Sequence, residues 1–268
     1  MAWFDLSGKV SKLRREIAYA LSKKHRKVFD VDIKMSEGGS VFPDILDQYG
    51  YFHDFFWHKA PRWLRDHRAY FKECQRGFGE DAFHAMWYLI FRDFKPGTAL
   101  EIGVYRGQAI SLWGLLSRYF GLNTEIHGIS PFTPAGDSVS TYLKNVDYYN
   151  DVLANFREFG LETPRLHKGY STDKEMRSLV ASREWDLIYI DGSHDYEIVK
   201  EDFLFSGCAL RKGGLIVLDD SALYVPYAPY LYSSAGHPGP SRVASEIDPG
   251  VFTEIISCGH NRVFKKVS

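Results

Sequence analysis

The 268-residue chain predicts an α/β fold: a mostly parallel sheet with helices on both faces, a terminal antiparallel hairpin and a helical N-terminal segment. Three observations carry this. From Thr98 onward, short apolar runs of strand length alternate with stretches of helical spacing. Most of those runs end in Gly, Ser, Asp or Pro, the residue types that turn a chain at a sheet edge. Residues 1–95, by contrast, mix Lys and Arg with aromatic residues and hold few strand-like stretches.

In the N-terminal segment, Leu13, Ile17, Ala20 and Leu21 recur at helical spacing. Ala82, Ala85, Met86, Leu89 and Ile90 do so again, until Pro96-Gly97 closes the pattern. Between them, Gly38-Gly39 reads as a loop and the aromatic run 51–63 as a cap element. Two units follow: 1–95, a helical cap, lid or dimerisation segment, and 96–268, the main domain. Strands are expected over 99–103, 125–129, 165–168, 186–191 and 215–219. The tail 252–267 reads as a hairpin turning through 257–261. In an open parallel sheet ligands lie beyond the carboxyl ends of the strands, so the polar residues ending these runs are the functional candidates.

Bulk properties narrow the classes. A net charge of -1 argues against a nucleic-acid backbone as the main partner. The basic stretch Lys23, Lys24, His25, Arg26 and Lys27 is local and reads as a solvated helix face. Cys74, Cys208 and Cys258 are odd in number and far apart, which suits neither a disulfide framework nor a zinc knuckle. No run of about 18 apolar residues occurs, so no membrane span is expected and a cytoplasmic location is the default.

The first strand ends in Glu101-Ile102-Gly103-Val104-Tyr105-Arg106-Gly107, and Ile110, Leu112, Trp113 and Leu115 continue as a helix. Glycine is needed where backbone turns with positive φ or passes close to a ligand. The G-x-x-x-G spacing is neither the dinucleotide fingerprint nor a phosphate-cradling loop, which disfavours an NAD-linked oxidoreductase and suits a nucleoside ligand without phosphates. Farther on, Trp185-Asp186-Leu187-Ile188-Tyr189-Ile190-Asp191 delivers Asp191 to a strand end, with Gly192-Ser193-His194-Asp195-Tyr196 in the turn after it. Gly213-Gly214-Leu215-Ile216-Val217-Leu218-Asp219-Asp220 delivers two more carboxylates to the next strand end. Three carboxylates at one edge repel each other unless a cation or protons compensate them, and oxygen donors suit Mg²⁺ or Ca²⁺.

Glu101-x-Gly103-x-Tyr105-x-Gly107 resembles motif I of class I S-adenosylmethionine-dependent methyltransferases, which have a Rossmann-like fold. The D-G-S-H-D-Y segment with G-G-L-I-V-L-D-D resembles the metal-dependent O-methyltransferases acting on macrolide sugars, grouped with cephalosporin-hydroxylase-like proteins. The likeness covers about residues 95–260. It implies S-adenosylmethionine as cofactor, with Glu101 meeting the methionine ammonium and Gly103, Tyr105 and Gly107 shaping the pocket. Ser130 would stand at the ribose, Ser171 near the adenine edge, and Asp191 at both cofactor and metal. It implies Mg²⁺ on Asp191, Asp219 and Asp220, and His194 as base.

Catechol-type enzymes are less similar, because they carry Lys at the position of His194 and Asp-Asn at the acidic pair. Most class I enzymes end the second strand in an acid that holds the ribose, where this chain has Ser130; Asp137 is a candidate substitute, and a non-catalytic binding protein is the alternative from another class. A branched side chain at Gly103 is expected to fill cofactor space and leave the fold intact.

The expected reaction is in-line methyl transfer to a hydroxyl of a small molecule, sugar-like or aromatic. The loop 221–241, with Tyr224, Tyr227, Tyr230 and Tyr232, is expected to line the acceptor pocket. The N-terminal helices would cover the same cleft or join two copies in a homo-oligomer.

Overall fold

The computed structural model describes residues 31–229 and 233–268. The helix expected at 13–21, the basic stretch 23–27, Tyr230 and Tyr232 lie outside them. Seven strands form one sheet: β1 Thr98–Ile102, β2 Glu125–Ser130, β3 Arg165–Lys168, β4 Trp185–Ile190, β5 Leu210–Leu218, β6 Phe252–Cys258 and β7 Asn261–Lys266. Their order is β3-β2-β1-β4-β5-β7-β6. Strands β1 to β5 pair in parallel, and β7 joins β5 and β6 antiparallel. The chain thus winds outward from β1 to β3, returns, and winds the other way from β4. The crevice at this reversal, between the carboxyl ends of β1 and β4, is where such sheets take ligands.

The helices among the described residues are α1 Gly38–Val41, α2 Ile45–His58, α3 Arg62–Lys72, α4 Asp81–Phe94, α5 Gln108–Tyr119, α6 Tyr148–Glu158, α7 Lys174–Ala181, α8 Tyr196–Ala209 and α9 Pro238–Ser245. None is long and apolar enough to cross a membrane. Strand residues alternate between two cores, as a period of two requires. Ala99, Leu187, Tyr189, Leu215 and Val217 pack with Phe52 and Phe56 of α2, Leu89 and Ile90 of α4 and Trp113 of α5. Leu100, Ile102, Ile188, Ile190, Ile216 and Leu218 pack with Val199 and Phe203 of α8 and Val243 of α9. The helices before Pro96 therefore share one continuous core with the sheet.

Packing on the sheet and pairing within it explain two departures from the sequence pattern. Gly38-Gly39 forms a helical turn instead of a loop, because it packs on β6. A Cβ on Gly38 would fall 2.1 Å from the Ile256 side chain, and one on Gly39 2.8 Å from the Ile255 carbonyl oxygen. Gln48 of α2 also covers the outer edge of β6. Its Oε1 accepts from the buried Ser257 N–H at 2.6 Å, and its Nε2 donates to the Phe42 carbonyl at 2.6 Å. An edge strand's free donor is thereby satisfied inside the molecule. Strand β5 begins at Leu210, five residues before the apolar run, because Leu210 pairs with Trp185 across an irregularity in register.

Candidate functional site

Beyond the ends of β1, β2 and β4 lies a cavity of about 230 Å³. Gly103, Tyr105, Ser130, Ser171 and Asp191 line it, together with Gly169, Tyr170, Ala135 and Asp137. Gly103 holds φ at 104°, and a Cβ there would fall 2.0 Å from the Asp191 carbonyl oxygen. The expectation that a side chain at Gly103 would leave the fold intact is therefore corrected: it would strike the end of β4. Tyr105 closes one side in an aromatic cluster with Tyr142, Tyr148 and Phe78, at centroid distances of 5.4, 5.3 and 5.0 Å. Ser130 is buried, and the Ser171 hydroxyl donates to Asp202 at 3.0 Å.

Two of the residues expected at the cofactor, Gly107 and Glu101, do not line this cavity. Gly107, at φ 83°, precedes the first turn of α5, and a Cβ there would meet the Val152 side chain at 3.1 Å. Beside it Arg106 binds Asp151 of α6, its Nε donating at 2.6 Å, which fixes the turn against that helix. Glu101 lies on the sheet face of Ala99, under α4, because alternate strand residues share a face. There it borders a second, larger cleft of about 760 Å³. Its Oε2 is buried without a hydrogen-bond partner. Burial first, and the Asp219 charge second, push its carboxyl up to about 8.

The larger cleft shares Gly103, Tyr105, Tyr142 and Asp191 with the smaller cavity, so the two spaces meet at the ends of β1 and β4. Glu80, Phe83, His84 and Trp87 form the wall contributed by α4 and the loop before it. From the loop after β5, the cleft takes Ser233, Ser234 and His237. The expected tyrosine wall is not found among the described residues. Tyr224 is exposed and Tyr227 is buried behind Ser233, and the aromatic lining comes from Phe78, Phe83, Trp87, Tyr105, Tyr142 and Tyr189 instead.

Where the cleft meets the sheet, three carboxylates gather as the strand ends require. Burial first, then Asp219, raises the Asp191 carboxyl well above the carboxylate range. Asp219 is raised by burial and by Asp220. Asp220 also feels burial, but the hydrogen bond from His194 and the charges of His260 and His237 outweigh it and hold it low. Its φ of 50° lies in the left-handed region and turns the chain out of β5.

The groups close enough to share one ion are Asp219, Asp220 and His260, and separately His194, Asp220 and His237, with donor atoms within 4.8 Å of one another. Asp191 stands in neither set, although its carboxyl shares a hydrogen bond with that of Asp219. The Asp219 Oδ1 is buried without a hydrogen-bond partner, an orphaned acceptor that suits a cation. His260 was unmarked in the sequence. It caps the turn between β6 and β7, and the antiparallel pairing of β7 with β5 brings that turn beside Asp219.

His194 is held between carboxylates. Its Nδ1 lies 2.7 Å from Asp137 Oδ2, and its Nε2 lies 2.9 Å from Asp220 Oδ2. Burial alone would lower its pKa, but the bonds to Asp220 and Asp137 raise it to about 9. Asp137 in turn accepts from the backbone N–H groups of Val139, Ser140 and His194, at 3.0, 2.8 and 2.7 Å. Burial is outweighed by those bonds, and its carboxyl is held down to about 2. These contacts engage the carboxylate that the sequence offered as a substitute for the missing ribose acid.

Residues 100–221 match the model of a methyltransferase domain. The uncharacterized protein R132 of Acanthamoeba polyphaga mimivirus is 28% identical over 177 residues, covering 64% of this chain and 72% of its own length. Among solved structures, the SAH-bound methyltransferase PaMTH1 of Podospora anserina superposes with a TM-score of 0.56 at 18% identity, over 79% of this chain and 90% of that one. An O-methyltransferase from Bacillus cereus in complex with SAH gives 0.55 at 13% identity, over 84% and 100%. At these identities the superpositions speak for the fold. The matched segment contains the glycine turn, His194 and the acidic pair.

Proposed function

We propose that this chain, which carries a methyltransferase domain, moves a methyl group from S-adenosylmethionine to a hydroxyl of a small, sugar-like molecule, with a divalent ion at the acidic pair and His194 as base. One observation carries the reading: the nucleoside-sized cavity and the larger polar cleft open onto each other at Gly103 and Asp191. A methyl donor in one space and an acceptor in the other would meet at that junction. Displacement at carbon needs little beyond that alignment and a deprotonated acceptor.

In this reading the cofactor lies against Gly103 and Tyr105, with its ribose by Ser130 and its adenine by Ser171. Glu101 and Gly107 support it from outside the cavity. Asp219 and Asp220 are the residues to hold a divalent ion, which when bound supplies Lewis acidity and orientation to the acceptor hydroxyl. His194 takes the proton, and Asp137 orients its ring through Nδ1.

The sugar-like acceptor is favoured over an aromatic diol by unpartnered polar atoms on residues that line the cleft. Glu101 Oε2 and Gln108 Nε2 lack partners and are available to acceptor hydroxyls. Trp87 and Tyr105 supply faces for a ring.

Incubation with S-adenosylmethionine and a panel of glycosides, sugar nucleotides and catechols, read by mass spectrometry, tests this. A gain of one methyl on a sugar hydroxyl is expected. Methylation of catechols alone would return the assignment to the aromatic class.

A further inference from the structure

We propose that the ion at the acidic pair is held by His260 Nε2 together with Asp219 and Asp220, so that the site selects a first-row transition ion over magnesium. This rests on the reading above that a divalent ion binds there.

The distances suit a shared ion. His260 Nε2 lies 3.4 Å from Asp219 Oδ1 and 3.8 Å from Asp220 Oδ1. Donors bound to one ion at about 2.1 Å sit about 3 to 3.5 Å apart, so closure needs only a small inward movement. His260 is also built to present that nitrogen. Its Nδ1 lies 3.1 Å from the Ser234 carbonyl oxygen and 3.2 Å from the Ser234 hydroxyl. A carbonyl can only accept, so Nδ1 carries a proton; Nε2 faces the carboxylates, and the proton it holds beside them is the one a bound ion would displace. Metal-binding histidines are oriented in this way, through a backbone carbonyl on the far ring nitrogen.

The ring has little freedom to do otherwise. It is 9% exposed, with the Phe83 ring at a steep angle to it and the two centroids 4.9 Å apart. The Ser221 N–H donates to the His260 carbonyl at 2.9 Å, which ties the hairpin tip to the chain just after the acidic pair. The orphaned Asp219 Oδ1 faces the same nitrogen. An imidazole beside two carboxylates is a mixed nitrogen and oxygen set. Magnesium strongly prefers oxygen, whereas Mn²⁺, Co²⁺ and Zn²⁺ accept imidazole.

Pulsed electron paramagnetic resonance of Mn²⁺ bound to the full chain reads the donor atoms directly. Modulation from a coordinated ¹⁴N is expected in the wild type and is lost in His260→Gln, whose Mn²⁺ affinity falls about 10-fold or more. Calorimetry on the wild type needs no variant: Co²⁺ is expected to bind at least about 10-fold more tightly than Mg²⁺. An oxygen-only spectrum in the wild type, or a nitrogen signal that survives in His260→Gln, would overturn ligation by His260 and leave the ion at the acidic pair standing. Absence of any divalent binding would remove that ion, and this inference with it.

Discussion

His194 Nδ1 and Asp137 Oδ2 lie 2.7 Å apart, and the same carboxylate oxygen accepts the His194 backbone N–H at 2.7 Å. One carboxylate thus fixes both the loop and the ring. With Asp220 on the other nitrogen, the imidazole is charged near neutral pH when no cation is present, its pKa standing at about 9.

A base must be neutral to accept a proton, so turnover is expected to rise with pH as His194 loses its charge. An ion on Asp220 adds positive charge beside the ring and moves that rise to lower pH. Asp137→Asn removes a partner of the charged form and also shifts the inflection of kcat/KM to lower pH. His194→Ala should lower kcat by about 10²- to 10⁴-fold and abolish the inflection. Near-normal turnover with an unchanged pH profile would place the base elsewhere.

Gly103→Val is expected to lose cofactor binding and stability together, since its Cβ would collide with the Asp191 backbone at 2.0 Å. Overpacking of this kind costs about 1–3 kcal/mol, to which the strain of a positive φ adds. Thermal melting alongside calorimetry separates the cases: an unchanged Tm with lost binding would contradict the collision.

The sheet was largely legible in the sequence, because buried parallel strands need apolar runs and the acids at their ends interrupt them. The parity of those strands was not drawn from it: Glu101, Asp191 and Asp219 fall on the face of Ala99, Tyr189 and Val217, which sets Glu101 outside the smaller cavity. His237 and His260 were not legible, since they reach the acidic pair from elements distant in sequence. Gly38-Gly39 was misread for a related reason, as local composition does not show the close approach of β6 that only glycine permits.

Gln48→Ala should destabilise the fold through β6. It leaves the buried Ser257 N–H without an acceptor, at a cost of about 1–3 kcal/mol, read as a lower midpoint in urea. A midpoint equal to wild type would mean that the edge is satisfied in another way.

Buried histidines make the fold sensitive to acid. Burial lowers His67 to about 3 and His53 to about 4, and places His84 well below its ordinary value of 6.5. Below about pH 6.5 the unfolded chain takes up protons that these folded rings refuse, so stability falls as pH drops from 6.5 toward 4 and is fully present above that range. Each ring contributes a slope approaching about 1.4 kcal/mol per pH unit. Glu101 and His194, whose pKa values stand at about 8 and about 9, contribute in the opposite sense, so the comparison is between proteins: from pH 6 to pH 5 the urea midpoint of the wild type should fall relative to that of His67→Phe. An unchanged difference between the two proteins from pH 6 to pH 5 would contradict the neutral, buried state of His67.

Calorimetric titration of S-adenosylmethionine into the wild type and Ala135→Trp tests most directly that the cavity at the β1 and β4 ends is the methyl-donor site. Ala135 lines the cavity yet is exposed, so tryptophan there can fill the space without disturbing the core. Binding of one cofactor per chain to the wild type, lost in Ala135→Trp at unchanged Tm, is the predicted result. No binding to the wild type, or equal binding by both proteins, would contradict it.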